Sequence, residues 1–138
     1  MALMDIEDLG MTAQQVTRIL RPGGWFLFSI LHPCYNPRRS GELTTTEGPV
    51  RTVAGYFDEG HWTSETRTGP PGRVGAYHRT LSTYLNTLSE AGLVLECASE
   101  PAAAGEAAMR RPIWTEVPAH LIMRWRKPVS GTPGTADR

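Results

Sequence analysis

The sequence has 138 residues, of which 40% are hydrophobic, and this suffices for one folded domain with a small core. Fourteen basic and fourteen acidic side chains give a formal net charge of zero, so there is no electrostatic reason to expect nucleic acid or an acidic membrane surface as a partner. No apolar run approaches the ~20 residues of a transmembrane helix.

Other classes of protein are disfavoured by what the sequence lacks. The two cysteines, Cys34 and Cys97, are far apart and show neither CxxC nor zinc-ligand spacing, so we expect reduced thiols and no metal site. The first residues contain no basic segment of the kind that starts a secretion signal. The predicted compartment is the cytoplasm.

The first predicted element is an amphipathic helix over residues 11–21. Val16, Ile19 and Leu20 follow the i, i+3, i+4 spacing of one helical face, and Thr12 is a candidate for its N-terminal cap. The Pro-Gly-Gly segment at 22–24 ends the helix, because proline cannot continue it and glycine adopts positive φ at low cost.

A strand is predicted directly after this turn, at residues 25–31. The segment reads WFLFSIL, which is almost entirely apolar and shows no polar alternation. This pattern is typical of a strand in a parallel sheet that is covered by helices on both faces. Helix, glycine turn and buried strand together form half of an α/β unit.

Residues 32–78 form a long insert rich in proline and glycine, with no helical periodicity. Long irregular segments in compact domains are often functional lids or disordered insertions. Aromatic and polar side chains are interleaved here, which favours a lid.

The remaining chain contains a helix and two strands. A helix is predicted over 80–91 with Gly92 as its C-terminal cap, and it carries four core-facing side chains: Leu81, Tyr84, Leu85 and Leu88. Residues 93–97 are predicted to be a short strand, and residues 98–112 a mobile loop. Residues 119–126 alternate between Leu121, Met123 and Trp125 on one face and more polar residues on the other, which predicts a half-exposed or edge strand. Residues 127–138 read as a disordered tail.

Three segments carry a resemblance to a known family. They are ILRPGGWFLFS at 19–29, MALMDIED at 1–8, and YHRTLSTYL at 77–85 together with EAGL at 90–93. In this order and spacing they resemble the second half of a class I S-adenosylmethionine-dependent methyltransferase, of the type 11 small-molecule kind. The resemblance implies that residues 1–126 are the C-terminal half of a Rossmann-like α/β sheet, with a long insert and an antiparallel last strand.

One part of the family pattern is missing from the sequence. No Gly-rich GxGxG loop follows a strand, and no acidic ribose-binding residue follows a second strand, although nucleotide sites in doubly wound sheets depend on both. The resemblance therefore implies a methyltransferase that lacks the cofactor-binding first half. We expect this chain to be inactive by itself.

The resemblance also implies where the site residues lie. Four residues at the beginning of the chain would lie beside the methyl end of S-adenosylmethionine: Ala2, Leu3, Met4 and Asp5. For Leu3 and Met4, core packing is an equal alternative, and for Asp5 a turn cap. His32, directly after the buried strand, could be a general base or hydrogen-bond a small-molecule methyl acceptor, or it could simply bond to backbone. Four residues of the insert could line the acceptor pocket or simply pack: Tyr35, Tyr56, Trp62 and His78.

A second hypothesis belongs to a different class. The chain could be a non-enzymatic interaction module that pairs the exposed edge of its incomplete sheet with another chain, including a second copy of itself as a homodimer.

Overall fold

The computed structural model describes residues 2–37, 39–63 and 75–129. The helices are α1 (Leu9–Ile19), α2 (Leu81–Glu90) and α3 (Gly105–Arg110). The strands are β1 (Trp25–Leu31), β2 (Gly41–Thr45), β3 (Gly48–Thr52), β4 (Gly60–Trp62), β5 (Ala76–His78), β6 (Val94–Ser99) and β7 (His120–Arg126). Short 3-10 helices occupy Ala2–Met4 and Pro112–Thr115.

The main sheet of the described chain has three strands in the order β1-β7-β6. Strand β7 lies in the centre and pairs antiparallel with both neighbours, which confirms the predicted antiparallel last strand. Because both neighbours oppose β7, β1 and β6 run parallel to each other, and their carboxyl ends reach the same edge of the sheet.

Strand β7 shows the predicted alternation of buried and exposed side chains. Leu121, Met123 and Trp125 are at most 2% exposed, whereas Arg124 is exposed on the other face. On the buried face they meet Phe26, Phe28 and Ile30 of β1 across the antiparallel register. The core of the domain lies on this face, against apolar side chains of α1 and α2.

The prediction that β1 is buried on both faces is wrong for the described residues. Ile30 is fully buried, but Trp25 and Leu27 are 56% and 52% exposed. The sequence is apolar on both sides of the strand, yet α1 and α2 both pack on one face of the sheet. The opposite face stays exposed in the described part of the chain.

Helix α1 begins two residues earlier than predicted and ends two earlier. Asp8, not Thr12, is its N-terminal cap, since its carboxylate accepts the Met11 N–H at 2.7 Å. Its buried positions are Leu9 and Ala13, and Ile19 is 71% exposed, so the prediction that Ile19 shares the core-facing side of the helix is wrong.

Helix α2 agrees closely with its prediction. Tyr84 and Leu88 are buried, and Leu81 and Leu85 pack against the same core. Gly92 has φ of +84°, and the Leu93 N–H donates to the Leu88 carbonyl, so the helix ends as the sequence indicated.

The insert contains more regular structure than predicted. Two antiparallel hairpins occur in it, β2–β3 and β4–β5. The expected loop at 98–112 is also partly wrong, because β6 continues to Ser99 and α3 forms at Gly105–Arg110. Of the predicted tail, Lys127 is ordered and donates through Nζ to the carbonyls of Thr17 and Leu20, while residues 130–138 lie outside the described residues. Among the described helices, none has the length and apolar character needed to cross a membrane.

Candidate functional site

The parallel ends of β1 and β6 bring two titratable side chains together. His32 follows β1, Glu100 follows β6, and His32 Nε2 lies 2.7 Å from Glu100 Oε1. The imidazole is almost fully buried, whereas the Glu100 side chain is 51% exposed. His32 is also fixed by its backbone, since its N–H donates to the Ala119 carbonyl at 2.9 Å.

The hydrogen bonds of His32 define its neutral tautomer. The Cys34 N–H donates to Nδ1 at 3.1 Å, so Nδ1 must carry a lone pair and not a proton. The proton of neutral His32 is therefore on Nε2, where it donates to the Glu100 carboxylate. Both ring nitrogens are thus occupied, and the carboxylate is the member of the pair that reaches solvent. Burial, reinforced by the charge of Glu100, raises the pKa of the neighbouring Cys34 thiol, which keeps it protonated.

Sequence reasoning missed Glu100. The available signal was the one used for His32, a polar side chain directly after a strand at the carboxyl end of the sheet. The residue pattern predicts that this strand ends at residue 97 and that a loop follows, so it does not indicate that Glu100 comes directly after the strand, which extends to Ser99.

Tyr35 connects this edge to the β2–β3 hairpin. Its N–H donates to the His32 carbonyl at 2.7 Å, and its hydroxyl donates to Glu42 and accepts from Trp114 Nε1. The Arg51 guanidinium lies 3.9 Å from the centre of its ring. Burial raises the pKa of the phenol, and the hydrogen bond to Glu42 acts in the same direction. The Tyr35 hydroxyl is therefore neutral, and its structural role is to link Glu42 of β2 to Trp114.

The predicted cofactor segment lies at the same end of β1. Met4 Sδ accepts the Leu31 N–H at 3.3 Å, one residue before His32. Leu3 and Met4 are each 6% exposed and belong to the core, whereas Ala2 and Asp5 are exposed. Core packing therefore accounts for the side chains of Leu3 and Met4, and the surface that this segment offers comes from Ala2 and Asp5.

Arg79 holds this segment in place, and sequence reasoning did not identify its role. Its guanidinium donates to the carbonyls of Leu3, Ile6 and Glu7, the latter two at 2.6 Å. Arg79 is only 8% exposed, and it precedes α2 by two residues. A buried cation is stable here because several carbonyl dipoles replace the water that it loses.

The other predicted acceptor-side residues gather at the β4–β5 hairpin. His78 Nε2 donates to the Tyr56 carbonyl at 2.8 Å, and the Tyr56 hydroxyl accepts the Leu81 N–H at the beginning of α2. Trp62 is buried in β4. These hydrogen bonds connect Tyr56 and His78 to each other and to α2. Tyr35, by contrast, is bonded directly to the backbone of His32. A pocket that combines all four with His32 stays a prediction.

Glu59 completes the N-terminus of α2 and was also missed. Its carboxylate accepts the Thr80 N–H at 2.7 Å and the Thr83 hydroxyl at 2.6 Å. Partial burial raises the pKa of Glu59, but the hydrogen bonds from Thr83 and Thr80 outweigh this and lower it overall. Among the described residues, no group of three His, Cys, Asp or Glu side chains could hold a metal ion.

Solved structures that are similar to this chain include two methyltransferases. An S-adenosylmethionine-dependent methyltransferase from Mesorhizobium loti matches 91% of this chain with 30% identity and a TM-score of 0.74. A putative S-adenosylmethionine-dependent methyltransferase from Listeria monocytogenes matches 92% with 28% identity and the same TM-score. No family model and no curated protein matches the sequence.

The match covers nearly all of this chain but only part of each methyltransferase. This chain spans 58% of the length of each of the two methyltransferases. The similarity confirms the resemblance and the Rossmann-like α/β class, and it is consistent with the C-terminal part of the fold.

Proposed function

We propose that this chain, now confirmed as a structural relative of S-adenosylmethionine-dependent methyltransferases, forms the acceptor side of an enzyme that methylates a small molecule. The observation that carries the proposal is the match of nearly the whole chain to two such enzymes. The His32–Glu100 pair supports it, because it places a carboxylate where the parallel strands end, and ligands of α/β sheets bind at such ends.

The residues present fit the methyl end of the cofactor only in part. S-adenosylmethionine, when bound, supplies an electrophilic methyl group. Exposed Ala2 and Asp5 offer it a surface beside the end of β1, while Leu3 and Met4 fix the position of that surface through the core. The contacts that would hold the nucleoside are not found among the sequence motifs of this chain. We therefore propose that the chain alone binds S-adenosylmethionine negligibly and is inactive.

The pair at the sheet edge supplies a route for the proton of the acceptor. We assign the proton-accepting role to the Glu100 carboxylate, because Nδ1 of His32 already accepts the Cys34 N–H. His32 is then a positioning residue that holds Oε1 through its Nε2–H and leaves Oε2 for the acceptor. This assignment replaces the general-base role first considered for His32.

Nitrogen-15 NMR of the imidazole tests this arrangement. We expect neutral His32 to carry its proton on Nε2, with that proton shifted downfield by the bond to the carboxylate. Replacement of Glu100 by leucine should remove the downfield shift, whereas Glu47→Leu, an exposed position in the turn between β2 and β3, should leave it unchanged. A proton on Nδ1 would contradict the assignment of roles.

Calorimetric titration with S-adenosylmethionine tests the proposed function. Several cofactor hydrogen bonds are missing, each contributing ~0.5–1.5 kcal/mol, and every ~1.4 kcal/mol changes affinity tenfold. A micromolar site should therefore weaken into the millimolar range, so we expect no saturable binding to the chain alone. A chimera in which this chain replaces the matched part of the Mesorhizobium loti protein should bind saturably, with the unaltered protein as control.

Two results would contradict the proposal in different ways. Micromolar one-to-one binding by the chain alone would show that the remainder of the fold is not needed for cofactor binding. A folded chimera that does not bind the cofactor would contradict the proposed function itself.

The interaction-module hypothesis remains as a second candidate because β1 is an edge strand in the described chain. Homodimerisation through that edge would give a dimer by sedimentation, at concentrations where the first proposal expects a monomer.

A further inference from the structure

We propose that Glu59 is a positioning residue that couples the insert to residues 2–7, the segment assigned above to the cofactor side. It acts through the beginning of α2, next to which lies Arg79, whose guanidinium binds three carbonyls of that segment. The inference deepens the proposed function and rests on it for the role of residues 2–7.

The beginning of α2 lacks one part of a local cap. In a capping box, the N-cap Ser or Thr accepts the N–H of the third helical residue, and a Glu or Gln at that third position accepts the N-cap N–H in return. Thr80 performs the first part, since its hydroxyl accepts the Thr83 N–H at 3.2 Å. The third position is Thr83 itself, and its hydroxyl donates to Glu59. The helix therefore has no Glu or Gln of its own at this position to accept the Thr80 N–H.

Two side chains of the insert complete the cap from a distant part of the sequence. Glu59 accepts the Thr80 N–H at 2.7 Å, and the Tyr56 hydroxyl accepts the Leu81 N–H at 2.9 Å. Both N–H groups belong to the donors that a helix leaves without a partner at its beginning. A carboxylate is also favoured here because this end of the helix carries a partial positive charge. The beginning of α2 is thus fixed by the insert as well as by its own residues.

Arg79 connects this cap to residues 2–7. Its backbone immediately precedes the N-cap, so the position of the cap sets the point from which the Arg79 side chain extends. The buried guanidinium donates to the Ile6 and Glu7 carbonyls at 2.6 Å. Short bonds from one planar group to two successive carbonyls tolerate little displacement of its backbone. A shift at the beginning of α2 would therefore be passed to the segment.

The same segment contacts the end of β1. Met4 Sδ accepts the Leu31 N–H at 3.3 Å, and the next residue, His32, binds Glu100 at 2.7 Å. A hydrogen-bonded route thus runs from the insert, across the beginning of α2, to the edge of the sheet that carries the candidate site. Order in the acceptor-side insert and order in the cofactor-side segment become linked by this route.

Hydrogen exchange of the full chain tests the coupling. In Glu59→Ala, the Asp5 amide should exchange about fivefold faster, the size expected for loss of one helix cap, while amides at the centre of β7 change only as much as global stability requires. Glu59→Gln keeps an acceptor for the Thr80 N–H and should retain most of the protection. Asp58→Ala is the matched control, since this neighbouring carboxylate is exposed and binds Arg39 at the surface.

A second substitution tests whether the coupling passes through α2. Thr83→Glu supplies the missing capping-box carboxylate from the helix itself, so α2 would no longer depend on Glu59. In the double variant Glu59→Ala/Thr83→Glu, we expect the Asp5 amide to return to within about twofold of its rate in the unaltered chain. A general loss of stability in the insert would not be repaired in this way.

Two results would overturn the inference. One is an Asp5 amide that, in folded Glu59→Ala, exchanges no faster than global stability requires, because Glu59 would then cap α2 and do nothing more. The other is a double variant in which the protection of the Leu81 and Thr83 amides returns and that of Asp5 does not. If circular dichroism shows that Glu59→Ala does not fold, Tyr56→Phe replaces it, because this variant keeps the ring and removes the hydroxyl that accepts the Leu81 N–H. The same increase at Asp5 is then expected.

These outcomes are separate from those of the proposed function. If the chimera does not bind S-adenosylmethionine, the proposed function fails, and the response of the Asp5 amide still decides the coupling. If the chimera binds and the Asp5 amide does not respond to Glu59→Ala, the function stands and the coupling fails. Where both hold, Glu59→Ala in the chimera should weaken cofactor affinity about fivefold, and Asp58→Ala should leave it unchanged.

Discussion

Replacing Met123 with alanine should lower the free energy of unfolding by about 2–5 kcal/mol, the usual cost of truncating a large buried aliphatic side chain. Met123 is fully buried in the central strand, between Phe28 of β1 and Ala98 of β6 in the sheet register. Neighbours on both strands and the helices below prevent the cavity from closing, because a sheet that is paired on both sides moves little. Urea denaturation followed by circular dichroism measures the change.

Arg124→Ala is the matched control for this prediction. Arg124 is the next residue of the same strand, but its side chain lies on the exposed face and binds Glu96 at 3.1 Å. Exposed ion pairs contribute about 0–1 kcal/mol, so the midpoint of unfolding should move little. Equal losses for the two variants would mean that the two faces of β7 are not different in the way that the structure shows.

The fate of β1 and β7 illustrates what a sequence can predict about a sheet. The period-two pattern of β7 indicates which side chains face the core, and it predicted Leu121, Met123 and Trp125 correctly. The apolar run of β1 indicates only that the side chains on both faces of the strand are hydrophobic enough to be buried. Whether Trp25 and Leu27 are covered depends on elements that contact them, and their 56% and 52% exposure could not be read from the run itself.

Only one member of the candidate pair, His32, could be predicted from the sequence, because it directly follows a strand that the sequence identifies clearly. His32 was identified because β1 has a strong apolar pattern, but its partner Glu100 is 68 residues further along the chain. The pairing arises from the parallel ends of β1 and β6, which the intervening antiparallel β7 sets. The hairpins of the insert were missed because their strands have only three to five residues and alternate weakly.

Replacing Arg79 with methionine should reduce the free energy of unfolding by about 2–4 kcal/mol. The buried Leu3 carbonyl would lose its donor at a cost of about 1–3 kcal/mol, and the part-buried carbonyls of Ile6 and Glu7 would add less because solvent can reach them. Three carbonyls, those of Leu3, Ile6 and Glu7, would lose the guanidinium that now binds them. Methionine keeps most of the apolar length of the side chain, so packing changes little. The loss should concentrate in residues 2–7, which carry the surface proposed to face the cofactor.

Hydrogen exchange at these residues is the readout that separates a local role from general destabilisation. In Arg79→Met, the Asp5 N–H, which donates to the Ala2 carbonyl at 2.9 Å, should exchange at least tenfold faster, while amides at the centre of β7 change only as much as global stability requires. Arg39→Met is the control, since Arg39 is 67% exposed and binds Asp58 at the surface. If Arg79→Met were as mild as Arg39→Met, or if the Asp5 amide stayed protected, the segment would be held by the core packing of Leu3 and Met4 instead.

The Arg79→Lys variant separates the effect of charge from that of geometry. An ammonium group would keep the positive charge but lose the planar guanidinium that reaches three carbonyls. This variant should therefore restore only part of the protection that Arg79→Met loses.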